Sequence, residues 1–388
     1  MTSVEHKAIG DFFMSEKLKK AEKFKKFYDV AVFFGGASSE SEVSVITGTM
    51  VCNVLIKGGK SVLPVFIDKK GNTFTGEKLT DITVFKDESY AKFPACGLAG
   101  RGVVIMGKGG VPKSVSAVGC VINCCHGGVC EGGALAGACA LFNIPFASAG
   151  LFESAVFMDK YFTKLILKGL GITTAKYAYS RDISGATEGA NSIGYPVIVK
   201  PATLGSSIGI AKCADESQLK AALETAFELD DGVLIEEYLS PRREINCAAY
   251  YSDGRTVISP LEEAVTEGEL LSYDDKYCGG GKRVFPAELD KKTEDKISQT
   301  TERVYSALNM RGLVRFDYIV SGGKVYLSEI NTVPGSLSQY LVSDSYNGFY
   351  GVLCGIMEQA RADFFGAKSK TVLSTGILND IKPSTKLK

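Results

Sequence analysis

The sequence predicts a protein of two or three α/β domains, and three observations support this class. The chain has 388 residues, which is more than a single hydrophobic core usually serves. Hydrophobic residues make up 45% of it, as in ordinary globular proteins. From Asp29 onward, short apolar runs alternate with helical patterns, an order typical of parallel sheets covered by helices.

Composition restricts the partners and the compartment. Lys plus Arg and Asp plus Glu number 44 each, so no overall field favours nucleic acid or an anionic membrane. No apolar run approaches the roughly 20 residues of a membrane helix, and the N-terminus lacks the apolar core of a signal peptide. The 11 cysteines show no regular CxxC pairs, which favours reduced thiols. We therefore expect a cytoplasmic protein with neither nucleic acid nor membrane as a partner.

The first half of the chain predicts an extension and an α/β domain. Residues 1–28 are expected to form an amphipathic N-terminal extension, and residues 29–150 an α/β domain with a parallel sheet. The strand "VAVFF" leads through a glycine turn to a helix, which we place at Ser39 because Ser39 and Glu42 match a capping box. The runs "SVLPVFID" and "AVGCVINCC" predict two further strands.

The second half predicts two more units. Residues 151–236 are expected to begin with a helix from Ser154 to Gly169 and to continue as strands interrupted by the helix "DESQLKAALETAFELD". Residues 237–388 are expected to hold further strands and the helices "TEDKISQTTERVYSALNM" and "GFYGVLCGIMEQARADFF". The sequence therefore predicts domain boundaries near residues 150 and 236.

The stretch "GLVRFDYIVSGGKVYLSEIN" predicts a hairpin that ends in a metal site. A three-residue loop, 321–323, would set Asp317 opposite Leu327, whereas a two-residue loop would split the polar side chains between the two faces. With the longer loop, one face carries Arg315, Asp317, Glu329 and Asn331. Two carboxylates and an amide are oxygen ligands that Mg²⁺ accepts. A solvated polar face is the alternative.

The stretch "VIVKPATLGSSIGIAKC" predicts a phosphate-binding turn. A strand ends at Lys200, and the following loop with Gly205, Ser206 and Ser207 could surround a phosphate with backbone amides and hydroxyls. It is not a P-loop, since no Gly-Lys-Ser/Thr opens a helix, and an ordinary hairpin turn is the alternative. Together with the predicted metal ligands and further lysines, it indicates Mg-nucleotide chemistry.

Two glycine-rich turns follow strands in the first domain. In "FFGGASSESEVS" the helix N-terminus could hold an anion, while Glu40 could hold a cation such as an amino group; an ordinary βα turn is the alternative. In "CCHGGVCEGG" a zinc site has to be weighed, but Cys124 and Cys125 are adjacent on a strand and should point to opposite faces. We therefore interpret His126 as lining a pocket.

These motifs together resemble one known family. The series "FFGGASSESEVS", "CHGGVCEGG", "FMDKYFTK", "YPVIVKPATLGSSIGI", "VLIEEYL", "SYDDKY", "RFDYIV" and "SEINTVPG" is similar to the D-alanine:D-alanine ligase family, in the family's order from Asp29 to about Phe365. The resemblance implies an ATP-grasp fold with an N-terminal parallel-sheet domain. It also implies ATP and Mg²⁺ as cofactors, with Mn²⁺ as a substitute metal and a monovalent cation left open.

The resemblance implies roles for the nucleotide-binding residues. Lys160 and Lys200 would contact the ATP phosphates, Ser206 and Ser207 would lie in the loop above them, and Lys276 would reach the γ-phosphate. The adenine edge would be held by Glu236, Glu237 and Leu239, partly through backbone groups, and the ribose by Glu244. The metal ligands would be Asp317, Glu329 and Asn331.

It also implies how two D-alanines would be joined. Glu40 would pair with the ammonium group of the first D-alanine and be linked through Ser206 to Tyr277 on a closing loop, with His126 near the same substrate. Transfer of the γ-phosphoryl group to the carboxylate would form an acyl phosphate, which the second amino acid attacks. Arg315 and the backbone amide of Gly335 would stabilise the tetrahedral oxyanion.

Departures from the family pattern concern the acceptor. Tyr340 and Leu341 occupy positions where a small hydroxyl residue and leucine are expected to hold the second amino acid, Gly132 replaces an Asp, and Leu271 replaces an aromatic residue. Tyr277, rather than a histidine, favours an amine acceptor. The main expectation is a homodimeric ligase for peptidoglycan precursors. The alternatives are an ATP-grasp ligase with another acceptor such as D-serine, and a nucleotide-binding relative without activity.

Overall fold

The computed structural model describes residues 26–265, 282–367 and 376. In these ranges the strands are β1 (Lys26–Tyr28), β2 (Val30–Gly35), β3 (Val62–Ile67), β4 (Thr73–Thr75), β5 (Cys96–Ala99), β6 (Gly102–Met106), β7 (Pro112–Val118), β8 (Val121–Asn123), β9 (Tyr177–Ser180), β10 (Val197–Pro201), β11 (Ala211–Cys213), β12 (Val233–Glu237), β13 (Arg243–Ser252), β14 (Arg255–Ile258), β15 (Glu262–Val265), β16 (Lys282–Val284), β17 (Val314–Ser321) and β18 (Lys324–Asn331). The α-helices are Ser41–Lys57, Thr83–Lys86, Leu135–Leu141, Leu151–Met158, Lys160–Gly169, Ile183–Ile193, Glu216–Leu229, Lys291–Ala307, Gln339–Val342 and Tyr346–Gly366. Among the described residues, no helix has the length and apolar character to cross a membrane.

The N-terminal part contains two four-stranded sheets. In the first, the order is β4-β3-β2-β8, and β2 pairs in parallel with both β3 and β8. Every residue of β2 and β3 is buried, as expected for parallel strands covered on both faces. The second sheet has the order β1-β7-β6-β5. Its edge strand β1 lies inside the predicted extension, so the last three residues of that extension belong to a sheet.

The first helix does not begin as predicted. It starts at Ser41, and its N-cap residue is Glu40, which makes no side-chain cap. The proposed capping box between Ser39 and Glu42 is therefore wrong. The N-cap position is instead taken by Glu40, whose carboxylate caps no helix amide and accepts a hydrogen bond from the hydroxyl of Ser206, far along the chain.

The predicted helix from Ser154 to Gly169 is two helices. The first is Leu151–Met158 and the second Lys160–Gly169, and Asp159 between them has an extended backbone. Its side chain accepts hydrogen bonds from the backbone amides of Tyr161 and Phe162, which caps the second helix. The break matters for the site because it places Lys160 in the first turn of a new helix.

The central part is an antiparallel sheet covered by two helices. Its strand order is β11-β10-β12-β9, and the helices Ile183–Ile193 and Glu216–Leu229 bury Ala190, Leu219 and Leu223 in its core. The latter helix corresponds to the predicted run "DESQLKAALETAFELD". This sheet carries Lys200 and Glu236 on neighbouring strands, which are directly paired at Ile198–Glu236 and Lys200–Leu234.

The C-terminal part is built on a six-stranded antiparallel sheet. Its order is β16-β15-β13-β17-β18, with β14 paired to β13. One face packs on the helix Lys291–Ala307, which buries Ile297 and Val304. The helix Tyr346–Gly366 joins this part to the N-terminal sheet, because Phe349, Leu353 and Ile356 share one core with Val32 and Phe34.

The hairpin β17–β18 reaches the predicted arrangement by a different route. Ser321 pairs with Lys324, so the loop has two residues and not three, and Asp317 faces Glu329 rather than Leu327. A two-residue loop alone would split the polar side chains between the two faces. The register shifts between Asp317 and Tyr318, and this β-bulge returns the acids and their neighbours to one face.

Candidate active site

One cavity of about 370 Å³ lies where the three parts meet. Of the predicted site residues it is lined by Glu40, His126, Lys160, Lys200, Ser206, Ser207, Glu244, Arg315, Asp317, Glu329, Asn331, Gly335 and Tyr340. Lys276 and Tyr277 lie outside the described residues. The cavity therefore gathers residues from every predicted domain except the extension.

Two lysines share a buried carboxylate at the floor of the central part. Glu236 forms ion pairs with Lys164 and Lys200, the latter at 2.5 Å, and all three side chains are at least nine-tenths buried. Burial opposes ionisation of Glu236, but the two ammonium groups outweigh it and lower its pKa to about 2. Glu236 also helps to raise the pKa of Lys200 against the opposing effect of burial. Lys200 thus presents a fixed positive charge to the cavity.

The side chain of Glu236, for which an adenine contact is predicted, is a buried counter-ion of two lysines. Glu236, Glu237 and Leu239 are not among the described residues that line the cavity. The carboxylate of Glu237 accepts from the Lys176 amide at 2.8 Å, and its own amide donates to the Lys176 carbonyl. The adenine contacts of Glu236, Glu237 and Leu239, partly through backbone groups, stay a prediction.

The glycine-serine turn closes over Lys160 and beside Glu40. The Lys160 Nζ donates to the Leu204 carbonyl at 2.5 Å, and both Ser206 and Ser207 have left-handed φ values of 53° and 60°. Such conformations are uncommon for residues other than glycine and occur often at ligand sites. The turn is therefore held in a defined shape with its hydroxyls at the cavity.

Glu40 is enclosed by two loops. Its carboxylate accepts from the Ser206 hydroxyl, and a Cβ atom on either Gly127 or Gly205 would lie 2.7 Å from its Oε2 atom. Both glycines are therefore needed for the close approach of the backbone. The predicted Glu40–Ser206 link is present, whereas its continuation to Tyr277 lies outside the described residues.

His126 is clamped between the N-terminal and C-terminal parts. Its Nδ1 donates to the Val333 carbonyl at 2.7 Å, so its Nε2 is the acceptor for the Thr47 hydroxyl at 2.8 Å. Thr47 in turn accepts from the Ser336 amide at 3.1 Å. Burial lowers the pKa of His126 to about 4, against the opposing effect of the Val333 bond, so the ring is neutral near pH 7. The ring positions two loops of the cavity.

Glu131 ties the same loops together. One carboxylate oxygen accepts from the Gly127 amide at 2.6 Å and the other from the Val333 amide at 3.3 Å. Burial raises its pKa to about 7, and the nearby Glu40 acts in the same direction. Glu131 is therefore partly protonated near neutral pH, which reduces the negative charge beside Glu40.

The predicted metal ligands lie together beside Arg315. Asp317 and Glu329 face each other across β17 and β18, and Arg315 faces Asn331. Arg315 holds both oxygens of Asp317, at 2.7 and 2.9 Å, and the Asn331 Nδ2 donates to the Asp317 Oδ2 at 2.9 Å. The bulge and these bonds fix the orientation of the Asp317 carboxylate.

The donor set suits a hard divalent cation. Asp317 and Glu329 supply carboxylate oxygens, and the Asn331 amide oxygen is the atom not used in its bond to Asp317. No group of three His, Cys, Asp or Glu side chains suited to a metal ion occurs within the described ranges. The predicted set contains two acids and an amide, which is a weaker ligand set and keeps positions for phosphate oxygens and water.

The cysteines around His126 belong to two cores. Cys124 lies in the core shared with the helix Tyr346–Gly366, whereas Cys125 lies in the core on the opposite side of the sheet. Burial raises the pKa of the Cys124 thiol. A bond with the Cys130 thiol, together with burial, raises that of Cys125. Two buried thiols on opposite faces cannot ligate one ion.

Tyr340 and Leu341 have different environments. Tyr340 lines the cavity, and the guanidinium of Arg283 lies 4.6 Å from its ring centroid. Leu341 is only 1% exposed, belongs to the core with the N-terminal sheet, and does not line the cavity. Of this predicted pair, the structure brings only the tyrosine side chain to the site.

Several site residues were not predicted from the sequence. They are Thr47, Glu131, Lys164, Arg242, Glu262 and Arg283. The signal for Lys164 was present, because it stands four residues after Lys160 on the same helix face. Arg242 stands two residues before Glu244, and its Nη2 donates to the Glu244 Oε1 at 2.6 Å. The partners of the other four are set by chain segments far apart in the sequence.

Comparison with known proteins agrees with this geometry. The family model described as D-ala D-ala ligase N-terminus matches residues 29–149, and that of the D-ala D-ala ligase C-terminus matches residues 166–350. The chain is 32% identical to the D-alanine--D-alanine ligase of Thermosipho melanesiensis over 362 residues, which cover 89% of this chain and 96% of that protein. It is 33% identical to that of Thermosipho africanus, with 91% and 99% covered.

Solved structures give the same result. The D-alanine-D-alanine ligase from Helicobacter pylori has a TM-score of 0.71 at 28% identity, covering 86% of this chain and 98% of that one. The VanG D-Ala:D-Ser ligase from Enterococcus faecalis has a TM-score of 0.68 at 26% identity, covering 88% and 98%. The fold predicted from the resemblance is confirmed, and the chain belongs to the D-alanine-D-alanine ligase family of ATP-grasp enzymes.

Proposed function

We propose that this protein joins two D-alanine molecules into D-alanyl-D-alanine with cleavage of ATP, as a cytoplasmic step in the synthesis of peptidoglycan precursors. The observation that carries the proposal is the joining of three groups in one cavity. These are a lysine-bearing phosphate turn, an acid pair for a divalent cation, and Glu40 as an anchor for an amino group. Family membership supports the same activity.

The nucleotide would bind between the central and C-terminal parts. Lys160 and Lys200 would bind its phosphates together with Ser206 and Ser207, and Glu244, oriented by Arg242, would bind the ribose. Because the Lys164–Glu236–Lys200 group carries a net positive charge, it favours a polyphosphate at this position. Lys276 would add a further cation from the segment outside the described residues.

A magnesium ion would be held by Asp317, Glu329 and Asn331, and when bound it offsets the negative charge of the phosphates. Mn²⁺ has similar ligand preferences, and comparing activity with and without K⁺ tests whether a monovalent cation takes part. Arg315 keeps the Asp317 carboxylate turned toward this position.

The reaction needs an activated carboxylate. A carboxylate is a poor electrophile, so the γ-phosphoryl group is transferred to the donor D-alanine, whose ammonium group Glu40 would hold. The amine of the acceptor then attacks the acyl carbon, and phosphate leaves. Arg315 and the Gly335 amide would donate to the oxyanion that forms. Water would hydrolyse the acyl phosphate, so closure by the segment with Tyr277 would protect it.

The proposal is tested by incubating the protein with ATP, Mg²⁺ and D-alanine. We expect phosphate release that depends on D-alanine, with D-alanyl-D-alanine detected by mass spectrometry. D-serine in place of the acceptor tests the alternative that the Enterococcus faecalis neighbour illustrates by its D-Ala:D-Ser name. Tight ATP binding, with no phosphate released from ATP in the presence of any D-amino acid, would instead identify a non-catalytic relative.

We also propose a homodimer formed through the N-terminal part. Leu151 packs beside Gly133 and Gly137 of the preceding helical segment, and large apolar side chains on these two neighbouring elements are exposed, namely Val129, Leu141, Leu151 and Phe152. Such a patch is typical of an interface. Sedimentation should give about twice the chain mass of 41.4 kDa. Phe152→Glu should shift the protein toward monomers. Phe162 is 52% exposed on another helix, against 59% for Phe152, and Phe162→Glu should not shift the protein toward monomers.

A further inference from the structure

Three side chains form a wall of the cavity that none of the proposed roles uses. They are Glu262 on β15, Arg283 on β16 and Tyr340, and all three line the cavity. Glu262 is 2% exposed, whereas half of the Arg283 side chain is exposed. The exposed part of an arginine that lines a substrate cavity can bind an anionic ligand.

Arg283 is fixed by contacts on two sides. Its Nε atom lies 3.4 Å from the Glu262 Oε1 atom, while the Glu262 Oε2 atom accepts from the Asn246 Nδ2 at 3.0 Å. The face of the guanidinium lies over the Tyr340 ring, 4.6 Å from its centroid. Stacking and the ion pair both restrict the rotamers of the arginine, so less entropy is lost when it binds a ligand.

The strand register shows which end of the cavity the guanidinium faces. Arg283 is paired with Ala264, and Ala264 and Ile319 both pair with Glu244. Glu262 is two residues from Ala264 and lies in line with Asp317, because both pair with Asn246. Arg283 lies beside Ala264, and its guanidinium reaches Glu262. The Arg283 side chain therefore runs along the sheet in the direction from Glu244 toward Arg315. It points away from the proposed ribose site and toward the proposed acyl-transfer site.

The chemistry of ligation identifies the anion at this place. The carboxylate of the donor amino acid is consumed, so a permanent ion pair with it would oppose the reaction. The carboxylate of the acceptor remains charged from binding to product release, and it needs a counter-ion on the side of the cavity away from the nucleotide. The Nη1 and Nη2 atoms of an arginine can donate two parallel hydrogen bonds to one carboxylate.

We propose that Arg283, held by Glu262 and stacked on Tyr340, binds the α-carboxylate of the acceptor amino acid and so determines acceptor specificity. The inference rests on the proposed ligase function. It assigns a purpose to the tyrosine at position 340, which is too large for the expected hydroxyl contact and instead supports the arginine. The acceptor is thereby an amino acid with a free α-carboxylate.

The test uses an acceptor that cannot act as a donor. D-alaninamide has the amine of D-alanine but no carboxylate, so it can enter the product only as the acceptor. In a mixture with ATP, Mg²⁺ and D-alanine, mass spectrometry gives the ratio of D-alanyl-D-alanine to D-alanyl-D-alaninamide. Arg283→Met should lower this ratio by about 10- to 100-fold, the value of a charge-assisted bond of roughly 1.5–3 kcal/mol. The KM for ATP should stay close to that of the wild type.

Three further variants complete the experiment. Arg283→Lys keeps the charge but loses the paired bonds, so its ratio should fall between those of wild type and Arg283→Met. Tyr340→Leu removes the stacking ring and should lower the ratio by less than Arg283→Met. Arg255→Met is the matched control, since Arg255 is exposed on β14 of the same sheet, and its ratio should equal that of the wild type.

Two results would overturn the inference. An active Arg283→Met with an unchanged product ratio would do so, and a raised KM for ATP at an unchanged ratio would assign Arg283 to the nucleotide instead. If wild-type protein releases no phosphate with any D-amino acid, the proposed function fails first, and the inference falls with it. Because the product ratio is independent of total activity, these failures are distinguishable.

Discussion

Replacing Arg315 by methionine is expected to lower kcat by roughly 100- to 1000-fold, the usual cost of losing one preorganised oxyanion donor. The effect should be at the upper end, because Arg315 also holds both oxygens of Asp317, at 2.7 and 2.9 Å. The KM for ATP should rise less than kcat falls, since the proposed phosphate ligands Lys160 and Lys200 are untouched. Phosphate release at saturating substrate is the measurement.

Two control variants separate charge from geometry in this prediction. Arg315→Lys retains a cation but not the paired donors, so we expect it to recover only part of the lost rate. Arg255→Met, on the exposed edge of the same sheet, should keep full activity. If Arg315→Met kept kcat within about threefold of wild type, Arg315 would have no part in oxyanion stabilisation.

Glu236→Gln is expected to reduce the free energy of unfolding by roughly 3–5 kcal/mol, since it leaves buried charge without its counter-ion. Lys164 and Lys200 both pair with this carboxylate, and their side chains are 1% and 9% exposed. Without it, two ammonium groups would repel each other in a dry environment. Urea unfolding at pH 7 measures the change.

A second substitution tests whether charge is the cause. Adding Lys164→Met to Glu236→Gln removes one of the two uncompensated cations, so most of the lost stability should return. Glu224→Gln, exposed on the helix Glu216–Leu229, should leave the unfolding free energy within about 0.5 kcal/mol. Equal unfolding curves for Glu236→Gln and the wild type would mean that the ion pairs contribute nothing.

The same group predicts a pH dependence. The pKa of Glu236 is lowered from 4.5 to about 2 because two ammonium groups outweigh the effect of burial. A carboxylate whose pKa is lower in the folded state stabilises the fold above its unfolded pKa and loses this contribution as the pH falls. The stability difference between wild type and Glu236→Gln should therefore be constant above about pH 5 and shrink between about pH 4.5 and 2.

The hairpin β17–β18 shows how sequence reasoning can place four side chains on one face while its register is wrong. The alternation of Arg315, Asp317, Glu329 and Asn331 could be read from period-two spacing. The loop length could not, because a shorter loop with a β-bulge places the same four side chains on one face as a longer loop without a bulge, although the facing pairs differ. Local sequence constrains which side chains of a strand share a face, but it does not show where a bulge inserts an extra residue.

The first helix shows the opposite case. Ser39 and Glu42 have the spacing of a capping box, but the helix begins at Ser41 and Glu40 bonds to Ser206 instead. A cap contributes only about 1 kcal/mol, so a charged contact with another part of the chain can displace it. The residue that takes the N-cap position is Glu40, whose carboxylate is the one proposed to hold a substrate amine.

The sequence by itself determined the family of this protein, because its motifs match the family along nearly the whole chain, and it predicted phosphate and metal ligands from lysines, a glycine-serine turn and acid-amide strand ends. Only the tertiary structure decided the pairings. Glu236 became a counter-ion for Lys164 and Lys200, His126 was fixed between Thr47 and Val333, and Arg283 was laid on Tyr340. The physical reason is that spacing along the chain sets the direction of a side chain, whereas its partner is chosen by the packing of distant segments.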